Sequence, residues 1–401
     1  MRDIGALLKT AGRYYKGVAL LVLNALVILA GLEFTSRAAL GVRSFLPREE
    51  GLPDPRAASS YYVKEEWAHQ YWSEFGQSRK TQYHAYTVWR RAPFKGKTIN
   101  IDERGLRLTP GSDCSPSSLK VFTFGGSPMW GTGSPEWSTI PAYLRTDFHD
   151  ISGRPVCILN FGESGYVSTQ SVIELVEQLH SGNIPDIVIF TDGSNDIYTG
   201  YQSGKSGVHE NLGMIAARME RRDQAGLGSQ ILESSILYGL ISDQVQRLSA
   251  PTTPKLLTYE SAGVDRGKLS QEIVQTYLEN CDIVRSMAQK HGFDYFFFWP
   301  PHISVGKKAL TDEEKALLRG IDPSLQKLTD SVYASMEPLI PKYDNFYPLT
   351  DTFDNQQSLI WLDDTHVTPV GNRLLAEKMT QVIKSKSKRF ARPASSVSSN
   401  Y

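Results

Sequence analysis

The spacing of apolar positions divides this chain into one long apolar stretch, a mixed aromatic stretch, and a succession of strand-like and helix-like segments. From Gly17 to Leu32 it reads GVALLVLNALVILAGL, sixteen residues with Asn24 as the only strongly polar side chain. That is slightly short of the roughly 20 residues that cross a bilayer core. Phe34 on one side and Tyr14 and Tyr15 on the other extend it into the interfaces, where aromatic rings are favoured. A segment apolar nearly all round and outside any α/β alternation reads as a membrane span rather than a core helix. It is long for the core of a cleaved signal peptide, and no clear A-x-A site follows.

Near-continuous apolar runs rich in β formers recur farther on: Leu119 to Phe124, Val156 to Phe161, Ile187 to Thr191 and Tyr295 to Trp299. Such runs predict strands covered on both faces. Helical spacing separates them. Val172, Leu175, Val176 and Leu179 form one apolar face after Ser168 and Thr169. A long helix is expected from an N-cap at Ser270 to His291, closed by Gly292. Thr368-Pro369 reads as an N-cap with proline at the first helical position, and Leu374, Leu375 and Val382 continue that helix. Strands alternating with helices imply a parallel sheet in a doubly wound α/β domain. Residues 200–265 break the alternation around the helical patch SSILYGLISDQVQRL and read as an insertion over the sheet edge. Residues 61–110 are rich in Tyr, Trp and Arg, with a short strand expected at Thr98 to Ile101. No internal repeat is present.

Composition narrows the function classes. The 401 residues carry 43 Lys+Arg and 43 Asp+Glu, a formal net charge of zero, which argues against a chain-wide affinity for nucleic acid. Hydrophobic residues make up 40% and charged residues 21%, as in a packed globular protein. Cys114, Cys157 and Cys281 are too few for a disulfide framework; at most one bridge can form, and Cys157, inside an apolar run, reads as a buried small hydrophobe. The eight histidines show no H-E-x-x-H or other ligand spacing, so no metal is expected, and nothing suggests a nucleotide cofactor.

Sites in open α/β sheets lie at the carboxyl ends of strands. The first run ends in Gly125-Gly126-Ser127-Pro128-Met129-Trp130-Gly131-Thr132-Gly133, which places a serine at a helix start. A P-loop would need a lysine where Thr132 stands, and the glycine spacing is not that of a dinucleotide site. The second run ends in Asn160-Phe161-Gly162-Glu163-Ser164-Gly165-Tyr166, where the Gly165 N–H can face a substrate oxygen. The third ends in Asp192-Gly193-Ser194-Asn195-Asp196, where a side-chain amide can donate to an oxyanion. Asp363-Asp364-Thr365-His366 precedes the last helix, and an Asp three residues before a His can accept its Nδ1–H, leaving Nε2 free as a base. Singly, each has an ordinary reading as a glycine turn with a capping serine, an Asx turn or a surface turn.

Jointly, in this order, they resemble the SGNH (GDSL-type) hydrolase family over most of residues 115–384. The resemblance implies a serine esterase with Ser127 as nucleophile, His366 as general base and then acid, and Asp363 orienting His366. It also implies an oxyanion hole of the Ser127 N–H, the Gly165 N–H and the Asn195 side chain. The fold it implies is a three-layer α/β/α sandwich around a parallel sheet, SGNH/flavodoxin-like, here with an N-terminal transmembrane helix. The usual Gly-Asp-Ser reads Gly125-Gly126-Ser127, similar to a bacterial subgroup of membrane-attached members. Asp364 is the alternative orienting carboxylate; the three-residue spacing favours Asp363.

The expected organisation is a cytoplasmic N-terminus and anchor over 1–34, a linker over 35–60 and an aromatic, Arg-rich extension over 61–114. A hydrolase domain follows over 115–384 with the insertion 200–265, and then a disordered basic tail over 385–401. Arg2, Lys9, Arg13 and Lys16 precede the span, against Arg37, Arg43 and Arg48 after it, which favours a periplasmic or extracellular catalytic domain. An outward-facing domain would meet O-acyl, foremost O-acetyl, esters on cell-envelope or exported carbohydrate. A polysaccharide O-acetyltransferase using the same residues and a non-catalytic glycan-binding envelope protein are the alternatives. Tyr86, Trp89 and Phe94 in segment 83–107 read as packing residues, with sugar-stacking faces as the alternative. The partners expected are an ester substrate and the membrane, with no nucleic acid.

Overall fold

Alternate residues of each apolar run face opposite sides of a sheet, and both sides are buried. The computed structural model describes residues 2–45, 54–224, 235–249 and 258–390. The chain forms two compact units, one of residues 1–51 with 213–255 and one of residues 52–212 with 256–401.

The first unit is built on α1 (Arg2–Phe45). Its stretch Gly12–Val42 is long and apolar enough to cross a membrane. The helix runs on through the first part of the segment read as a linker. The insertion contributes α-helices at Leu212–Gln224 and Ile236–Ser249. Glu33 accepts the Ser235 hydroxyl (2.8 Å) and the Ile236 and Leu237 N–H groups (3.0 Å each), so a carboxylate from α1 caps the second of these helices.

The second unit opens with a 3-10 turn over Pro55–Ala58, α2 (Ala68–Gln77), and two antiparallel pairs, β1 (Thr81–His84) with β2 (Val88–Arg91) and β3 (Phe94–Lys95) with β4 (Asn100–Ile101). The strand expected from Thr98 begins only at Asn100, because the Thr98 and Ile99 N–H groups bond to Glu74 instead of a ladder. Then come β5 (Leu119–Gly125), α3 (Ser127–Trp130), α4 (Ile140–Ser152), β6 (Val156–Asn160), α5 (Ser168–His180), β7 (Ile187–Thr191) and α6 (Ser194–Ser203). With α7 and α8 as the two insertion helices, the unit resumes at α9 (Arg266–His291), β8 (Asp294–Trp299), α10 (Asp312–Gly320), α11 (Pro323–Met336), β9 (Phe346–Pro348) and α12 (Pro369–Lys386).

Five strands make an all-parallel sheet in the order β6-β5-β7-β8-β9. Val121, Ile189 and Phe298 pack on one side with Leu144 and Phe148 of α4 and Leu375 and Met379 of α12. Phe122, Phe190 and Phe297 pack on the other with Leu175 of α5, Ile273 and Tyr277 of α9, and Val332 of α11. This is the expected three-layer α/β/α sandwich, and its strand order changes direction at β5/β7, where ligands bind in such sheets.

Two sequence expectations change. The long helix starts at Arg266, not beyond Ser270: Asp265 accepts the Lys268 N–H at 2.8 Å and is the true N-cap, while Ser270 is buried inside the helix. Cys157 is buried, but it is bonded to Cys114 across 43 residues. The reason lies in the edge strand: the Asp113 N–H donates to the Val156 carbonyl, so the loop before β5 runs along β6 and carries Cys114 to it. Cys281 is free and buried. Closing a loop of that length restricts the unfolded chain by about 4 kcal/mol. Cys114→Ala, at an exposed position, is therefore expected to lower unfolding stability by about that amount in guanidinium titrations; an unchanged midpoint would show that the bridge contributes nothing.

Of the tail, the part before Ala391 is folded: Arg389 donates to the Gly292 carbonyl at 2.6 Å. Residues 391–401 of the expected disordered tail, and 46–53 of the linker, lie outside the described residues, as do 225–234 and 250–257 of the insertion.

Candidate active site

Ser127 opens the single turn of α3 at the carboxyl end of β5. Backbone geometry there depends on Gly126: a Cβ at that position would collide with the Asn195 Nδ2. Gly126 thus lets the Asn195 amide come close to the serine turn. Arg107 fastens the other end of the turn, donating to the carbonyls of Trp130 (3.1 Å), Gly131 (2.7 Å) and Ser134 (2.6 Å). Its guanidinium and that of Arg91 lie 4.3 and 3.8 Å from the Trp130 ring.

His366 comes from the loop before α12. That loop is pinned by the Leu362 N–H on the His366 carbonyl (2.8 Å) and the Thr368 N–H on the Ile360 carbonyl (2.7 Å). Buried Glu314 accepts the Ile360 and Trp361 N–H groups (2.9 and 3.1 Å) and pairs with Lys308 at 2.7 Å. His366 Nε2 lies 2.7 Å from Ser127 Oγ, and its Nδ1 lies 2.6 Å from Asp363 Oδ2. Asp363 Oδ1 accepts the His366 N–H (2.6 Å) and the Thr365 N–H (2.9 Å). With Nδ1–H committed to the carboxylate, Nε2 is the acceptor for the serine proton. Burial by itself raises the Asp363 pKa; the charge and hydrogen bonds of His366, together with Arg56, outweigh it and hold the carboxyl well below the usual aspartate range.

The remaining expected site residues converge on the same place. Asn195 Nδ2 donates to the Tyr166 carbonyl at 2.8 Å, bridging the serine turn and the loop that carries Gly165. Its neighbour Asp196 accepts the Ser168 hydroxyl (2.6 Å) and N–H, which fixes the far end of that loop at the start of α5. Gly165 has φ +79°, a conformation that suits glycine, and a Cβ there would meet Glu210 and the Trp89 ring.

Sequence reasoning missed two residues beside the site, and the structure resolves a third. Arg56, inside the segment read as linker, places Nη1 3.3 Å from Asp363 Oδ2 and 3.0 Å from His366 Nδ1, and is itself held by Asp54 (2.8 and 2.9 Å). The Asp54-Pro55 pair, a cap followed by proline, was the available signal that a folded turn starts there. Glu210, in the segment read as insertion, sets its carboxylate against Gly165, and burial raises its pKa. Asp364 does not orient His366; it faces His302, with Nε2 to Oδ2 at 3.8 Å.

In the aromatic segment, Trp89 and Phe94 are half-buried packing residues as expected, and Trp89 Nε1 donates to the Ser164 carbonyl at 3.1 Å. Tyr86 is not: it is 78% exposed, at the tip of the β1–β2 hairpin. Among the described residues, His84, Glu174 and Glu177 bring possible ligand atoms within 4.8 Å of one another, but the Glu174 carboxylate is already taken by Arg90 at 2.6 Å.

A serine at the end of the first strand of a parallel α/β sheet, hydrogen-bonded to an imidazole from a late loop, suits nucleophilic attack. The sequence profile of the GDSL-like Lipase/Acylhydrolase family matches residues 121–379, and the chain belongs to that family, which makes the class hydrolases acting on ester bonds. No curated protein matches the sequence. Similar solved structures include a lipolytic protein of the G-D-S-L family from Veillonella parvula DSM 2008 (12% identity, 66% of this chain and 97% of that one, TM-score 0.35). A lipase, Lip_vut3, from a goat rumen metagenome gives 10% identity over 68% of this chain and 100% of that one, with a TM-score of 0.39. The acetyl xylan esterase AlAXEase gives 14% identity over 66% and 100%, with a TM-score of 0.36.

Proposed function

We propose that this chain is a membrane-anchored serine esterase that removes O-acyl, foremost O-acetyl, groups from cell-envelope or exported carbohydrate. The observation that carries the reading is the Ser127–His366–Asp363 relay, with contacts of 2.7 and 2.6 Å. His366 Nε2 takes the Ser127 proton as Oγ bonds to the acyl carbon. The carbonyl electrons move onto the oxygen, which the Ser127 N–H, the Gly165 N–H and the Asn195 amide stabilise. Collapse expels the alcohol, which takes the proton from His366, and an acyl-serine remains. Water then repeats the sequence and releases the acid.

The N-terminal helix is the anchor, and the basic residues ahead of it favour a cytoplasmic N-terminus. The Cys114–Cys157 bridge supports an oxidising compartment for the catalytic unit. Together with Gly125-Gly126-Ser127, these features fit a membrane-attached G-G-S subgroup.

The test is acetate release from an O-acetylated glycan by the full chain, with and without an added acceptor sugar. Free acetate as the product supports hydrolysis. Acetylated acceptor in place of acetate assigns the relay to transfer. Absence of both, with no labelling by a fluorophosphonate, leaves a non-catalytic envelope protein. Asn195→Ala is expected to lower kcat by about 10²–10³, measured beside circular dichroism of the folded variant; near-normal turnover would remove Asn195 from the oxyanion hole.

A further inference from the structure

Beside His366 the structure holds a cavity of about 290 Å³ lined by Asn195, Tyr198, His302, Thr329, Asp364 and His366 itself. The relay uses neither His302 nor Asp364. His302 is only 4% exposed. The backbone carbonyl of Asp364 accepts the Ile303 N–H at 3.1 Å, which locks the two loops together.

The tautomer of His302 follows from its neighbours. Its Nδ1 accepts the Ser304 backbone N–H at 3.2 Å and lies 2.8 Å from the Ser304 hydroxyl, which can donate to the same nitrogen, so Nε2 carries a ring proton. That Nε2–H faces the Asp364 carboxylate at 3.8 Å, beyond hydrogen-bond length. A polar donor and a polar acceptor that do not bond to each other suit one hydroxyl seated beside the pair, accepting from the imidazole and donating to the carboxylate. The walls also include Ile197 and Leu325. A surface that is part apolar and part hydrogen-bonding matches the two kinds of face a sugar ring presents. The chemistry fixes which half of the ester lies here: the leaving alcohol oxygen must receive its proton from His366, so the alcohol moiety occupies the His366 side.

We propose that this cavity is the alcohol subsite and that His302 and Asp364 together read a free hydroxyl of a sugar-like leaving group. The inference rests on the esterase reading above and adds the moiety recognised and the residues that recognise it. A site built to hydrogen-bond a hydroxyl discriminates strongly against an analogue lacking it, because its own polar groups are then left unpaired.

The experiment compares kcat/KM for methyl 6-O-acetyl-glucopyranoside with that for cyclohexylmethyl acetate, a ring of the same size without hydroxyls. In wild type the sugar ester is preferred. His302→Phe and Asp364→Asn are each expected to lower the ratio of the two by about tenfold, mainly through KM for the sugar ester. A ratio unchanged in both variants, or an equal fall on both esters, overturns the proposal, since the pair would then support only the relay or the fold. Calorimetric binding of unesterified methyl glucopyranoside to the Ser127→Ala protein is the second readout, expected to weaken about tenfold when either variant is added. Hydrolysis without that selectivity sinks the subsite and leaves the esterase standing. Weakened glucoside binding without hydrolysis or phosphonate labelling supports the subsite and sinks the esterase.

Discussion

Ser127→Ala is expected to lower ester turnover by about 10⁶-fold, the magnitude that accompanies loss of the nucleophile in a relay acting as a unit, and to abolish fluorophosphonate labelling. The physical reason is covalent: among the described residues, Ser127 Oγ is the oxygen held against His366 Nε2, at 2.7 Å. The side chain is only half-buried and its removal opens no sizeable cavity, so stability should move by no more than about 1 kcal/mol. A folded variant that kept more than about 1% of wild-type turnover, a level far above what the oxyanion donors alone sustain, would mean that water is attacked directly or that a different hydroxyl is acylated. The same protein separates catalysis from binding, because it leaves the proposed oxyanion donors and alcohol cavity in place.

The residues easiest to read from the sequence are those whose neighbours in space are also neighbours in the chain. Asp363 and His366 meet within one turn, and Thr368 caps the helix that follows. The runs of β5, β7 and β8 were legible because both faces of each are buried, leaving almost no polar position to blur the pattern. β9 was not, since Phe346–Pro348 is three residues long and ends in proline, too short for any period to show. Arg56 lies 307 residues from Asp363, and nothing local marks an arginine after a proline as an ion-pair partner of the relay. Asp364 was visible as an ambiguity. Its resolution needed His302, which is brought in by the loop after β8. Ser127, Gly165 and Asn195 follow successive strands, and a parallel sheet places all its carboxyl ends on one edge. The clamp on them, Asn195 on Tyr166 and Asp196 on Ser168, is purely tertiary.

Asp363→Asn is expected to cost about 10⁴-fold in kcat while changing KM little, the size of effect that follows when the orienting carboxylate of such a relay is replaced by an amide. An amide can donate to Nδ1, which drives the ring proton to Nε2 and leaves no acceptor for the serine proton. Arg56 sharpens the prediction, because its Nη1, 3.0 Å from Nδ1, would then add a second donor to that nitrogen and favour the same tautomer. The pH dependence of stability has a definite sign. Asp363 is held below its ordinary value of 3.8, first against burial and then by His366 and Arg56. Its contribution is therefore present above that ordinary value and is lost as pH falls toward the depressed one. The stability gap between wild type and Asp363→Asn should be widest near neutrality and should close on acidification below the ordinary value. Arg56→Met, which weakens the depression without removing the carboxylate, should shift the acid unfolding midpoint of wild type upward. Tryptophan fluorescence during acid titration reads both. If the midpoint of Arg56→Met did not move, the guanidinium would be packing on Trp72 and Phe75 and not holding the Asp363 charge.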